Sequence, residues 1–241
     1  MNGVALHWLD LDALVADEAA LDTEQREAAT RFLRPQVRHR FVARRCALRR
    51  IAGPVAFRPS GEPWLPGSDR SVSTSHRDRH GVIALAEGTR IGVDVERIGA
   101  VEAEDATGWL HDDERDVAGG DPASLTRLWA AREAWLKARG RGLAALNEAP
   151  SMVALLRCDD AIIGDVRLRA VDAPAGYAAV LAIGCPPRGL LPTAFDTIPL
   201  TSRLLLGGGQ AEDTRLRRLG ASAATVANWR FPTAREAGQQ D

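Results

Sequence analysis

Twice along the chain, helical periodicity gives way to short strand-like runs, with little strand–helix–strand alternation. This succession restricts the fold more than any single motif, because a parallel sheet needs a crossover segment at nearly every step. It predicts an α+β fold with mostly antiparallel sheets and packed helices. Val4 to Asp10 reads as a strand. Thr23 is placed to cap a helix reaching about Arg34, and Pro35 opens a second through Ile51, with Phe41, Leu48 and Ile51 on its apolar stripe. V-A-F-R-P from Val55 reads as a short strand, and the prolines and glycines of the following R-P-S-G-E-P-W-L-P-G-S-D predict irregular chain.

Strand-like runs at Ser71–His76, Gly81–Ala86 and Arg90–Glu96 are expected to make the sheet of the first half. Helices are expected at about Ala103–Leu110, Asp112–Val117 and Pro122–Arg139, the last stopped by Gly140 and Gly142. Strands are expected to return at S-M-V-A-L-L-R from Ser151, D-V-R-L-R-A-V from Asp165 and G-Y-A-A-V-L-A-I from Gly176. Beyond Gly184 the pattern weakens, and residues 185–241 read as an extension of unknown role with a polar, partly disordered end.

The 241 residues are 45% apolar and 26% charged, enough to bury a core. No run approaches the length of a membrane span, and M-N-G-V-A-L-H-W-L-D lacks a positive n-region and a cleavage site. A cytoplasmic protein without a membrane partner is expected. Three scattered cysteines suit a reducing compartment and suggest neither a disulfide framework nor a zinc site. Net charge is −1, but from Arg26 to Arg50 nine arginines face one acid, Glu27, while Asp94 to Asp121 is mostly acidic. A phosphate-rich ligand fits the first region and a divalent cation the second; two solvated surfaces of opposite sign fit equally well.

In I-G-V-D-V-E-R, the period of two puts Ile91, Val93 and Val95 on one strand face and Asp94 with Glu96 on the other. Two carboxylates so close invite a cation such as Mg²⁺, although a plain surface strand is the alternative. In W-A-A-R-E-A-W-L-K-A-R-G, Glu133 and Lys137 share one helix face. Either they form an ordinary i, i+4 ion pair, or they supply a third carboxylate and a general acid or base to a cleft. Lys137 is the only lysine beside thirty arginines, and lysine, unlike arginine, can shift its pKa and move a proton. Ser75 and His76 end a strand, and a hydroxyl beside an imidazole suits a phosphate oxygen, though such pairs are often structural. There is no Walker loop and no G-x-G-x-x-G.

With G-E-P, S-T-S-H, I-G-V-D-V-E and W-x-x-R-E-A-x-L-K-x-x-G-x-G-L in this order, roughly Val4 to Gly184 resembles the 4′-phosphopantetheinyl transferases of the surfactin-synthetase-activating type. The resemblance implies two similar α+β lobes, a pseudo-dimer in one polypeptide, with coenzyme A bound between them. The N-terminal lobe would span 1–100 and the C-terminal lobe 101–184. It implies that Asp94, Glu96 and Glu133 hold magnesium, and that Lys137 lies near the transferred phosphate. Ser75 and His76 would hold the coenzyme's phosphates, Gly61 to Pro63 would run along the nucleotide, and Arg40 or Arg45 would lie near the adenosine phosphates.

The implied reaction transfers the 4′-phosphopantetheine arm to a serine of an apo-acyl or peptidyl carrier protein, releasing 3′,5′-ADP. Glu133, directly or through a metal-bound water, would take the serine proton, and Lys137 would stabilise or protonate the leaving group. A monomer is expected, since two lobes already supply the cleft. The sequence departs from the family pattern in three places: Glu62 removes a positive charge from the G-K-P-type loop, while Arg77 and Arg132 keep or add one. Two rival readings are a non-catalytic coenzyme A or carrier-protein binder and an arginine-rich nucleic-acid-binding protein. The second leaves the acidic cluster unexplained, so no nucleic-acid partner is expected.

Overall fold

Strand β1 (Val4–Asp10) is an interior strand of its sheet, with its neighbours on both sides coming from distant parts of the chain. The structure is a computed structural model that describes residues 3–101, 106, 108–184 and a strand at 200–205. Asp22 rather than Thr23 caps helix α1 (Thr23–Thr30), its carboxylate accepting the Gln25 amide at 2.9 Å. Helix α2 (Pro35–Ala52) starts on Pro35, whose fixed φ and missing N–H suit a first helical turn. The segment expected to be irregular contains a small ladder of β2 (Ala56–Phe57) with β3 (Pro63–Trp64). Its turn closes through Gly61 at φ +83°, with the Arg58 amide donating to the Glu62 carbonyl at 2.9 Å.

Strands β4 (Arg70–Arg77) and β5 (His80–Glu87) form a hairpin. The first sheet has the order β10-β1-β5-β4, where β10 (Leu200–Leu205) lies in the expected extension and runs parallel to β1. All other described pairings are antiparallel, as expected for an α+β chain of this pattern. The rest of the extension lies outside the described residues.

Strand β6 (Ile91–Arg97) corrects the sequence reading. It was expected in the sheet of the first half, but it pairs with β9 (Tyr177–Gly184), Asp94 opposite Val180. The second sheet then runs β6-β9-β8-β7, with β7 at Asp160–Ile163 and β8 at Val166–Val171. Adjacency in sequence favours pairing, but burial decides here. Ile91, Val93 and Val95 join Leu181 and Ile183 against Leu6, Trp8, Val82 and Ala84 of the first sheet.

Helix α3 spans Asp112–Ala118 and α4 spans Pro122–Ala138, close to expectation; half of the helix expected at 103–110 lies outside the described residues. The run from Ser151, read as a strand, is instead helix α5 (Val153–Arg157). Its buried positions, Met152 and Leu155, are three apart rather than two, and the Met152 amide donates to Glu114 Oε1 at 2.6 Å. A run this short carries no decisive periodicity, so tertiary contacts set its form.

The layers run α2, first sheet, second sheet, α4. Ala43, Ala47 and Leu48 of α2 cover Leu9, Val72 and Ile83, and Leu128, Ala131 and Ala134 of α4 cover Leu168, Val180 and Ala182. Helix α4 lies so close to β6 that a Cβ on Gly92 would sit 2.0 Å from the Ala134 carbonyl oxygen and 2.6 Å from the Ala138 amide nitrogen. Both obstacles are backbone, so no side-chain rotation relieves them. Gly92→Ala is therefore expected to destabilise the protein by about 3 kcal/mol or more, read as the shift in the urea midpoint. A midpoint equal to that of the parent would contradict this packing.

Candidate active site

The close approach at Gly92 sets Glu133 and Lys137 of α4 over the face of β6 that carries Asp94 and Glu96. Carboxylate oxygens of Asp94, Glu96 and Glu133 all lie within 4.8 Å of one another. Asp94 is 1% exposed, so its charge is removed from water. Lys137 Nζ donates to Asp94 Oδ1 at 2.7 Å and to the Val93 carbonyl at 3.2 Å, and it lies 3.4 Å from Glu133 Oε2. Three oxygens around one nitrogen match the three N–H bonds of an ammonium, whereas a planar guanidinium would present its donors in one sheet. That geometry is a structural reason for a lysine at this position.

The charges are unevenly compensated. Burial and then the Asp94 carboxylate push Glu133 above the usual carboxylate range, with Lys137 and a hydrogen bond from Trp129 opposing them. Burial, followed by repulsion from Asp94, lifts Glu96 to about 7, although Arg77 stands 3.3 Å from its Oε2. For Lys137, burial acts to lower the pKa, but Asp94 and Glu133 outweigh it and the value rises. The lysine is held as an ammonium. Even so, Asp94 Oδ2 and Glu96 Oε2 are buried and accept no hydrogen bond. Clustered carboxylates with a buried oxygen that accepts no hydrogen bond, as at Asp94 Oδ2, and another, Glu96 Oε2, with only the longer ion-pair contact to Arg77 are the donor set of a hard divalent cation, so these residues fit Mg²⁺.

Ser75, expected to hold coenzyme phosphate, stands beside the acidic cluster. Its hydroxyl is buried and donates to Asp94 Oδ1 at 2.7 Å. His76 meets Arg44, with Nδ1 3.2 Å from Arg44 Nη1. A guanidinium only donates, so Nδ1 is the acceptor and the ring proton of neutral His76 resides on Nε2. Crowding by protein, then the positive charges of Arg44, Lys137, Arg40 and Arg77, lower the His76 pKa to about 4. More than a third of the residue's surface is nevertheless open, so water screens part of that effect.

A cleft of about 450 Å³ opens beside Glu133 and Lys137. Its lining includes Gly61, Glu62 and Pro63, Gly140 to Leu143, and Arg44. Arg40 and Arg45 are not among the described lining residues. Arg40 makes a two-point ion pair with Asp12 at 2.6 and 2.8 Å, and the Arg45 guanidinium stacks 3.5 Å over the Phe57 ring. Sequence reasoning passed over Arg44, one helical turn beyond Arg40, because in a run of nine arginines no spacing singles it out. Burial pulls its pKa down to about 10. Arg141 was also missed; it lines the cleft and pairs with Glu148 at 2.6 Å.

Two departures from the family pattern also find their places. Glu62 lies 3.4 Å from Arg58, which compensates the charge it brings to the loop. Arg132 adds no charge to the site, contrary to expectation: it is fully buried, paired with Glu114 and 5.2 Å from the Trp109 ring centre. The acidic run therefore divides. Glu114 neutralises Arg132 within the core, while Asp94 and Glu96 join Glu133.

Residues 90–172, about a third of the chain, match the family described as the 4′-phosphopantetheinyl transferase superfamily. A protein of Synechocystis sp., provisionally named a 4′-phosphopantetheinyl transferase, is 26% identical over 165 residues, covering 56% of this chain and 65% of that protein. The segment that supplies Asp94, Glu96, Glu133 and Lys137 is thus the segment that matches the 4′-phosphopantetheinyl transferase superfamily; it contains I-G-V-D-V-E and W-x-x-R-E-A-x-L-K, and the family resemblance is borne out there.

Proposed function

We propose that the protein transfers the 4′-phosphopantetheine arm of coenzyme A to a serine of an apo-acyl or peptidyl carrier protein, releasing 3′,5′-ADP, as a cytoplasmic monomer. The observation that carries this reading is the convergence of Asp94, Glu96 and Glu133 beside Lys137 at the edge of the cleft. Asp94, Glu96 and Glu133 would hold Mg²⁺, which neutralises pyrophosphate charge when bound. Glu133, raised in pKa by burial and Asp94, accepts the proton of the attacking serine hydroxyl. Its oxygen attacks the β-phosphorus of coenzyme A, and the bond from that phosphorus to the bridging oxygen breaks. Lys137, held charged, stabilises the oxygen that departs with 3′,5′-ADP.

In this reading the lobe built on the first sheet with α2 and the lobe built on the second sheet with α4, to which β6 belongs although it precedes residue 101, form the two walls around the coenzyme. Gly61 and Pro63 border the nucleotide, and Arg44 extends the phosphate surface next to His76, whose Nε2–H is a donor in the neutral ring. Arg40 would reach a phosphate only by leaving Asp12. Tight pairing of the four charged groups favours catalysis over a non-catalytic binder, which gains nothing from confining three carboxylates.

The direct test is incubation with Mg²⁺, coenzyme A and a panel of apo-carrier proteins. Mass spectrometry should find about 340 Da added to one carrier, the mass of the arm from its chemical formula. In the same assay Lys137→Arg should lower kcat by about 100-fold or more while coenzyme A binding changes little. No mass gain with any carrier, or unchanged turnover in the arginine variant, would contradict the assignment.

His76 supplies a pH test. An imidazole with a lowered folded pKa binds fewer protons than the unfolded chain between pH 4 and 6.5, so its contribution to stability increases with pH across that window. NMR titration should place the His76 midpoint clearly below 6.5, and Arg44→Ala should raise it. A parent midpoint at 6.5 would show that the surrounding cations do not act on the ring.

A further inference from the structure

The S-T-S stretch of β4 places Ser73 and Ser75 on the same face, two residues apart, where the first sheet meets the edge of the second. Both hydroxyls are committed to β6. Ser73 Oγ accepts the Val93 amide at 3.0 Å, and Ser75 Oγ donates to Asp94 Oδ1 at 2.7 Å. These strands share no ladder, so side chains supply polar links across the seam. The two oxygens of Asp94 differ sharply as a result. Oδ1 accepts from Ser75 and from Lys137, both at 2.7 Å, whereas Oδ2 is buried with no hydrogen-bond partner.

We propose that Ser75 is a positioning residue for the cation site: its hydroxyl fixes Asp94 through Oδ1 so that Oδ2 is presented to the divalent ion. This rests on the reading of Asp94, Glu96 and Glu133 as the ion's ligands. It departs from the role that the resemblance gave Ser75, a hold on coenzyme phosphate. A carboxylate gripped on one oxygen by donors from two separate elements cannot rotate freely. The rotational freedom it would otherwise lose on binding the ion is already restricted, which is how partners behind a metal ligand raise affinity. Lys137 cannot do this alone, because its flexible stem moves with α4, whereas Ser75 is set in a hydrogen-bonded strand opposite Val82.

The test measures Mn²⁺ affinity of the full chain without coenzyme A, by the electron spin resonance signal of free Mn²⁺, and separately 3′,5′-ADP affinity without metal. Ser75→Ala should weaken Mn²⁺ binding about tenfold or more, leave 3′,5′-ADP binding in place and retain a cooperative thermal transition. Ser75→Thr, which keeps the hydroxyl, should restore Mn²⁺ affinity. Ser75→Cys, a weaker donor of similar size, should fall between them and serves if the alanine variant does not fold. Parental Mn²⁺ affinity in Ser75→Ala would overturn the proposal, and lost 3′,5′-ADP binding beside it would return Ser75 to a phosphate role. If the parent binds no Mn²⁺, or Asp94→Asn binds it as well as the parent, the cation reading itself falls and the role of Ser75 falls with it.

Discussion

The site depends on the backbone contact between Gly92 and helix α4. With no Cβ on that residue, the Ala134 carbonyl can lie against β6, which sets Glu133 and Lys137 above Asp94 and Glu96. A helix standing off by the thickness of one methyl group would lift Lys137 Nζ from its 2.7 Å contact and leave Asp94 buried without its cation. An uncompensated buried charge costs several kcal/mol, so packing and electrostatics require each other here.

Strand β6 is confined on every side. One face is sealed by Ile91, Val93 and Val95 in the core between the sheets, the other lies under α4, and its free edge is held by the serines of β4. Such confinement gives the carboxylates fixed positions, which preorganised charge stabilisation needs. The same helix directs another of its cations away: Arg132, next to Glu133 in sequence, is turned into the core and neutralised by Glu114. Adjacent residues on α4 thus serve separate purposes, one holding the helix in the C-terminal layer and the other facing the site.

Much of this was legible in the sequence because it is local. The period of two in I-G-V-D-V-E assigned Asp94 and Glu96 to one face, the four-residue spacing placed Lys137 with Glu133, and the solitary lysine marked the position where an ammonium is needed. What was not legible depends on distant partners. Nothing within Arg90–Glu96 says that the strand pairs with Tyr177–Gly184 rather than with the preceding hairpin. Nor does S-M-V-A-L-L-R announce that Glu114 will take the Met152 amide and favour a helix. Arg44 could not be distinguished from eight other arginines by spacing, and the hydroxyl of Ser75 shows its commitment to Asp94 only once β4 and β6 are side by side.

The central claim is that three carboxylates from two elements share one divalent ion. It is tested most directly by anomalous diffraction from crystals grown with Mn²⁺. The account predicts a single strong peak within coordination distance, about 2.0–2.6 Å, of oxygens from Asp94, Glu96 and Glu133. A peak elsewhere, or Glu133 turned away from an ion held by the other two, would contradict it.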